Sequence, residues 1–340
     1  MRLLPEYTCI KSILLALPYK GSDWDDNLLA ALNCYRDMVT AFLQADETIG
    51  ILLLAKPGSD WRSWYKTLHL SAHQQARLNI IADIDYDDTW VRDYGPLSYL
   101  EPNFTISYRA FQFDGWGGKY SADADNAAAL QLYRYGVSPQ SKVDLVLEGG
   151  GVEINDDGIL LVNRDCIVDN NRNSGLDEPT MYAKLLQMLG ADDIEWVHDV
   201  QMTGDDTDGH IDTLARFLDN NTVVCCGRNG LHHDAPALER LNDQLEKICS
   251  ERHWNIIKLP VPVIRSAVDE RILPATYANF LLCHQHIFLP VYGVDQDLDA
   301  ITILENAAPD KTIVPIRCEA LLEQHGSLHC ATMQIAGETA

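Results

Sequence analysis

Positive charge is scarce in this sequence: 26 lysines and arginines stand against 50 aspartates and glutamates, a formal net charge of −24 over 340 residues. A surface of that sign does not bind a phosphate backbone or an anionic membrane. It is compatible with a cationic small molecule. No uninterrupted apolar run approaches a membrane span, and Met1-Arg2-Leu3-Leu4-Pro5-Glu6-Tyr7 lacks the long uncharged stretch and small-residue cleavage site of a secretory signal. None of the nine cysteines forms a Cys-x-x-Cys pair, and an odd number in a chain this long reads as free thiols in a reducing compartment. The expected location is the cytoplasm. There is no G-x-G-x-x-G, and the glycine-rich Phe113-Asp114-Gly115-Trp116-Gly117-Gly118 has no strand feeding a helix in phosphate-binding register. No linker or low-complexity segment interrupts the chain. A single catalytic domain over 1–340 is expected.

What is present is acidic and clustered. Gly204-Asp205-Asp206-Thr207-Asp208-Gly209-His210-Ile211-Asp212 holds four carboxylates and an imidazole in nine residues. On an extended strand His210 and Asp212 would share a face. Such a pair can move a proton, grip a cation or bind a metal, although Asp-Gly clusters are usually solvated turns. A second patch, Asp83 to Pro96, alternates aspartates and ends in Trp90-Val91-Arg92-Asp93-Tyr94-Gly95-Pro96. Neither is an EF-hand. Counted from Asp83, the sixth and twelfth positions are Asp88 and Tyr94 in place of glycine and glutamate; counted from Gly204, the twelfth is Ala215. A third patch, Glu148-Gly149-Gly150-Gly151, follows the apolar run Val143–Leu147 and leaves room for a ligand near the backbone.

Between these patches short strands and helices alternate. Helical spacing is clear over Trp24–Leu43, with Ser22 as a candidate cap, over Pro179–Leu189, and over Ala235–Cys249; Ile51–Leu54, Thr222–Cys226 and Thr312–Ile316 read as buried strands. The unit recurs about five times at about one per 60–70 residues, the scale of repeated α/β modules.

Asp93, Glu148, His210, Asp212 and Cys330 make a chemically coherent set. Two aspartates can each take a planar guanidinium through paired N–H bonds. A cysteine can attack its central carbon once partly thiolate, and a bound guanidinium or protonated histidine lowers the thiol pKa. His210 can protonate departing ammonia and then activate water. Glu148 can orient the imidazole or hold the remaining substrate nitrogens. Trp90 and Trp116 are candidate pocket walls, and Gly149 a point of close approach. Two rivals use the same carboxylates. A metal-dependent hydrolase would take Asp93, Glu148, His210 and Asp212 as ligands, and a polyamine- or arginine-binding protein would only grip the cation; both leave Cys330 idle. An amidino transfer would differ only in its acceptor. Cys283-His284-Gln285-His286 has metal-like residue types without a second pair at ligand spacing.

The segments Trp90-Val91-Arg92-Asp93-x-Gly95-Pro96, Trp116-Gly117-Gly118, Glu148-Gly149-Gly150, Asp206-Thr207-Asp208-Gly209-His210-Ile211-Asp212, Tyr277-Ala278-Asn279-Phe280 and His329-Cys330 together resemble the agmatine deiminase and bacterial peptidylarginine deiminase family, within the guanidino-modifying pentein superfamily. They fall in the family's order across nearly the whole chain. The resemblance implies an α/β propeller of five pseudo-symmetric ββαβ modules with the site at its axis. It implies Cys330 as nucleophile, His210 as acid and base, and Asp93, Asp212 and Glu148 as substrate-holding carboxylates, with no metal or organic cofactor. The implied partner is a small cationic guanidine, with agmatine first and peptidyl or free arginine as alternatives; a homodimer is compatible with it. Asp206 stands where the agmatine enzymes usually carry glutamate and would hold the distal ammonium, directly or through water. His325-Gly326-Ser327 replaces a usual Gly-Gly-Asn, Met333 a common glutamine, and Asp87 and Asp114 common asparagines.

Overall fold

Two antiparallel strands, a helix, and a third strand parallel to the second: this unit occurs five times in the computed structural model, which describes residues 1–337. Residues 338–340 of the expected domain lie outside the described residues. The first unit pairs Ile10–Ala16 antiparallel with Met333–Ala336 and, beyond helix Leu28–Ala45, parallel with Gly50–Leu54 and then Leu78–Ile81. The second is Leu97–Leu100, Ile106–Gln112, helix Asp123–Gln131 and Pro139–Val146, with Arg2–Leu3 added at its edge. The third is Val152–Ile154, Ile159–Asn163, helix Glu178–Leu189 and Asp193–Val197. The fourth is Ala215–Asp219, Thr222–Cys226, helix Ala235–Arg252 and Asn255–Leu259. The fifth is Leu281–Cys283, His286–Val291, helix Gln296–Ala307 and Thr312–Arg317.

The parallel pair explains the helix, because joining parallel neighbours requires a crossover. It also explains the unbroken apolar strands: Thr222–Cys226 is buried on both faces and cannot alternate. The helices bury one stripe each, Tyr35, Met38, Val39 and Phe42 in the first unit, and Leu238, Leu241, Leu245 and Ile248 in the fourth. The last strand of the chain sits in the first unit, so the C-terminal segment closes the circle and removes an edge. Among the described residues no helix is long and apolar enough to cross a membrane.

Two local expectations change. The first helix starts at Leu28, after Asn27, not at Trp24. Ser22 and Asp25 spend their side chains on the preceding turn, Ser22 Oγ donating to the Tyr19 carbonyl and Asp25 accepting from the Gly21 N–H. The strand expected through His210 and Asp212 is a single 3-10 turn, Ile211–Thr213, and the strand begins only at Ala215.

The topology has one consequence for function. Asp93, Glu148, His210 with Asp212, Asn279 and Cys330 each lie a few residues ahead of the first strand of a different unit. Equivalent positions in a closed ring of units face a common centre, so residues far apart in sequence meet there.

Candidate active site

Gly150 is where the carboxylates and the imidazole converge. A Cβ built on it would lie 2.7 Å from His210 Nδ1, 2.9 Å from Asp93 Oδ1 and 3.1 Å from Asp212 Oδ2, so only glycine leaves these groups in place. The Gly150 N–H donates to Asp93 Oδ1 at 3.1 Å, and Trp116 Nε1 donates to Asp93 Oδ2 at 2.9 Å. Trp116 reaches that position through a backbone at φ 56°, followed by Gly117 at φ 78°; the glycine-rich turn is thus the device that aims an indole at Asp93. Both donors are neutral. The full cation nearest Asp93 is His210, with Nδ1 3.5 Å from Oδ1.

Asp212 is buried. Its Oδ2 faces His329 Nδ1 at 2.7 Å, Asn279 Nδ2 at 3.3 Å and Cys330 Sγ at 3.6 Å. Its Oδ1 has no hydrogen-bond partner among the described residues, and neither has His210 Nδ1. Asn279 also donates to Cys330 Sγ at 3.3 Å and accepts from the His329 N–H at 2.9 Å, which fixes the thiol relative to Asp212. Glu148 is committed to protein partners: Arg172 Nε bonds both its oxygens at 2.9 Å, and His210 Nε2 lies 3.4 Å from Oε2. Arg172 is itself held by Asp208 at 2.8 Å and Asp169 at 3.1 Å. Of the two roles open to Glu148, orienting the imidazole is the one this geometry serves.

The electrostatics follow from burial and charge. Burial, joined by the Asp212 and Glu148 charges, pushes the Asp93 carboxyl up to about 6 against the opposing pull of His210. Burial opposes charge on His210, but Asp93, Cys166 and Glu148 outweigh it and hold the imidazole pKa well above its usual value. Burial and then the Asp212 and Asp93 charges push the Cys330 thiol well up. The protein alone therefore keeps Cys330 as a thiol and His210 as an imidazolium, and a cation between the two aspartates reverses their effect on the thiol.

Cys330 and Asp93 open onto a pocket of about 580 Å³. Its walls are Trp24, Trp90, Trp116 and Tyr120, and its outer acids are Asp23, Asp88 and Asp206. No lysine or arginine is among the described lining residues. Burial, reinforced by the Asp23 and Asp93 charges, pushes Asp88 up to about 7. Asp206 accepts from Tyr120 Oη at 2.7 Å and lies 3.4 Å from Lys119 Nζ, so its charge is already partly met.

The structure thus brings Asp93, His210, Asp212 and Cys330 together, with Glu148 behind His210 and Trp90, Trp116 and Asp206 around the pocket. Gly149 lies elsewhere: it lines a cavity on the side of Glu6 and Arg92, where its Cβ would meet the Arg92 carbonyl oxygen at 2.2 Å. Its smallness serves a backbone crossing, not a ligand. Sequence reasoning left Asn279, Arg172 and His329 without roles, although Asn279 and His329 lay inside the motifs that carried the resemblance. The His284 ring is occupied by Asp46 at 2.9 Å and by the Ile10 backbone, which leaves it no lone pair for a metal.

Glu148, Cys166 and His210 offer three ligand atoms within 4.8 Å of one another. Arg172 holds both Glu148 oxygens, however, so an ion placed there would have to displace a buried guanidinium. The donor set does not fit a resident metal.

The sequence profile described as Porphyromonas-type peptidyl-arginine deiminase matches residues 2–336. The chain belongs to this family. It is 28% identical over 356 residues to a Vibrio parahaemolyticus protein named "Putative agmatine deiminase", covering 97% of this chain and 95% of that one. A C. jejuni agmatine deiminase, solved with a cysteine-to-serine substitution and substrate bound, superposes with a TM-score of 0.89 at 30% identity over 100% of this chain and 97% of its own. At 12% identity, a dimethylarginine dimethylaminohydrolase adduct superposes over 96% of this chain and 100% of its own with a TM-score of 0.51, which shows the shared fold alone. The deiminase family fold is the five-bladed α/β propeller that the unit topology describes.

Proposed function

We propose that this protein is an agmatine deiminase, converting agmatine and water to N-carbamoylputrescine and ammonia. The observation that carries the reading is the pair of buried carboxylates, Asp93 and Asp212, meeting at Gly150 beside the Cys330 thiol with Asp212 Oδ1 unpartnered. That is a seat for a planar cation next to a nucleophile.

Asp93 and Asp212 hold the guanidinium N–H groups, and its charge lowers the thiol pKa. The Cys330 proton passes to solvent, and the thiolate Sγ attacks the guanidinium carbon. The tetrahedral adduct collapses as His210 gives its proton to a terminal nitrogen, which leaves as ammonia and leaves a covalent thiouronium. His210, now neutral, takes a proton from water attacking the same carbon; the C–S bond breaks as the adduct's hydroxyl proton passes to the departing sulfur, and the ureido product and thiol return with His210 protonated again. Asp23, Asp88 and Asp206 at the outer pocket favour an ammonium at the substrate's far end, and the absence of lysine or arginine among the described lining residues leaves a free arginine carboxylate without a counter-charge.

The test is ammonia release with agmatine, arginine and a blocked arginyl peptide, with and without chelator. Release from agmatine, unaffected by chelator, is expected. Preference for the peptide keeps the thiol chemistry and overturns the substrate, whereas abolition by chelator, or no ammonia from any guanidine, overturns the deiminase reading.

A further inference from the structure

His329 precedes the nucleophile, is buried, and is used by no step above. Its ring bridges two carboxylates from opposite sides: Nδ1 lies 2.7 Å from Asp212 Oδ2, and Nε2 lies 2.8 and 2.9 Å from the two oxygens of Glu6. Glu6 comes from the N-terminal segment, on the side of the second cavity. It is already supplied with donors, from Arg92 at 2.6 Å, from Gln334 at 3.0 Å and from Arg216. Glu153, the remaining carboxylate of this cluster, accepts from Arg216 and from the Phe217 N–H at 3.2 Å. Asp212 has no such surplus. Apart from His329, its Oδ2 meets only Asn279 and the thiol, and its Oδ1 meets nothing.

A neutral imidazole has one N–H to give. The Glu6 contact requires a second ring proton, which burial and the guanidiniums of Arg216 and Arg92 disfavour and which Glu6 and Asp212 favour. The Asp212 contact therefore has first claim on the ring: Glu6 has three other donors, and Asp212 would otherwise keep a buried charge on a single side-chain amide.

We propose that His329 is the positioning residue of the site, its Nδ1–H locking Asp212 so that Oδ2 stays beside Cys330 and Oδ1 faces the guanidinium, with Glu6 taking the Nε2–H when the ring carries its second proton. The inference rests on the reading of Asp212 as a guanidinium holder. It makes the N-terminal segment part of the active-site scaffold: Glu6 joins the buried guanidiniums Arg92 and Arg216 to the ring that sets Asp212.

The two amides that mimic the two ring nitrogens separate this from a packing role. Asparagine places its N–H near the Nδ1 position and glutamine near the Nε2 position. His329→Gln is expected to lower kcat/KM for the guanidine substrate by about ten- to a hundredfold, chiefly through KM, and His329→Asn to recover it to within about fivefold, at comparable thermal midpoints. Equal losses in both variants, tracking their stability, would overturn the positioning role. Absence of turnover in the unmodified enzyme would instead overturn the underlying reading. The charge and tautomer are also accessible without any variant folding well: the imidazole ¹⁵N resonances of His329 in the unmodified enzyme should show Nδ1 as an N–H nitrogen at neutral pH. A bare, pyridine-type Nδ1 refutes the proposal.

Discussion

Three consecutive glycines give three different outcomes when each receives one methyl group, and together they test the geometry of the site. At Gly151 the new Cβ would meet the Ile167 Cδ1 at 3.3 Å, with its other neighbours at 3.9 Å; a side-chain methyl can give by that little, so Gly151→Ala should stay within about twofold of the native rate with stability changed by about 1 kcal/mol or less. At Gly149 the Cβ would lie 2.2 Å from the Arg92 carbonyl oxygen, a backbone atom that moves only with the short helix Val91–Tyr94. Overpacking of that kind costs about 3 kcal/mol or more and should lower the thermal midpoint and the yield of folded protein. Gly150→Ala is the decisive member. Its Cβ meets side-chain ends at 2.7, 2.9 and 3.1 Å, so the fold can accommodate it by moving them, but those ends are His210 Nδ1, Asp93 Oδ1 and Asp212 Oδ2. A displacement of about 1 Å at reacting groups costs about a hundredfold in rate. The expected result is loss of about two orders of magnitude in kcat/KM with a thermal midpoint close to native, measured by ammonia release and by thermal unfolding. A Gly150→Ala enzyme with native kinetics would refute the convergence of those three groups on one point.

Cys330→Ala should abolish ammonia release while retaining guanidine binding by calorimetry; retained turnover would return the metal-hydrolase reading. With its carboxyl pushed up to about 6 and substrate proposed to bind its carboxylate form, Asp93 should make kcat/KM fall about tenfold per pH unit below that value, and a profile flat down to pH 5 would remove Asp93 from the binding step. Arg172→Met leaves Glu148 buried beside His210 without its guanidinium; breaking such a pair costs about 3–5 kcal/mol, and native stability with a native rate would show that the pair orients nothing.

The unit of the fold was legible where a middle strand is apolar throughout and its helix carries one apolar stripe, as in Thr222–Cys226 followed by Ala235–Arg252. That Cys330, His210 and the aspartates would meet was legible because they sit in the motifs that carried the resemblance. What escaped was of two kinds. Local conformation near His210 and Asp212 was misjudged because a two-residue spacing looks the same on a strand and across one 3-10 turn; the Asp205 side chain, accepting from the Thr207 and Gly209 N–H groups, decides for the turn. Partners supplied from distant units were invisible in principle. Glu6 and His329 are separated by nearly the whole chain, and Arg172 lies in a loop whose composition resembles any solvated Asn-rich loop. Only the closed ring brings them together, and one sequence contains no signal for which polar residue in a loop will face inward.

In the proposed reaction, charge explains how the same site would both seize its substrate and let go of its product. Asp93 is hydrogen-bonded by neutral donors, Asp212 Oδ1 by none, and the pocket lining adds Asp23, so the site presents negative charge that its own cations do not fully meet. A guanidinium completes the pairing and, by sitting between those carboxylates, weakens their hold on the Cys330 proton; a neutral urea of the same shape does neither. Nucleophile activation is therefore coupled to the charge that defines the substrate. Deimination then removes that charge. The ureido product keeps the shape but offers only dipoles to two buried carboxylates, which again raise the thiol pKa, so the step that completes the chemistry also removes the attraction that held the substrate in place.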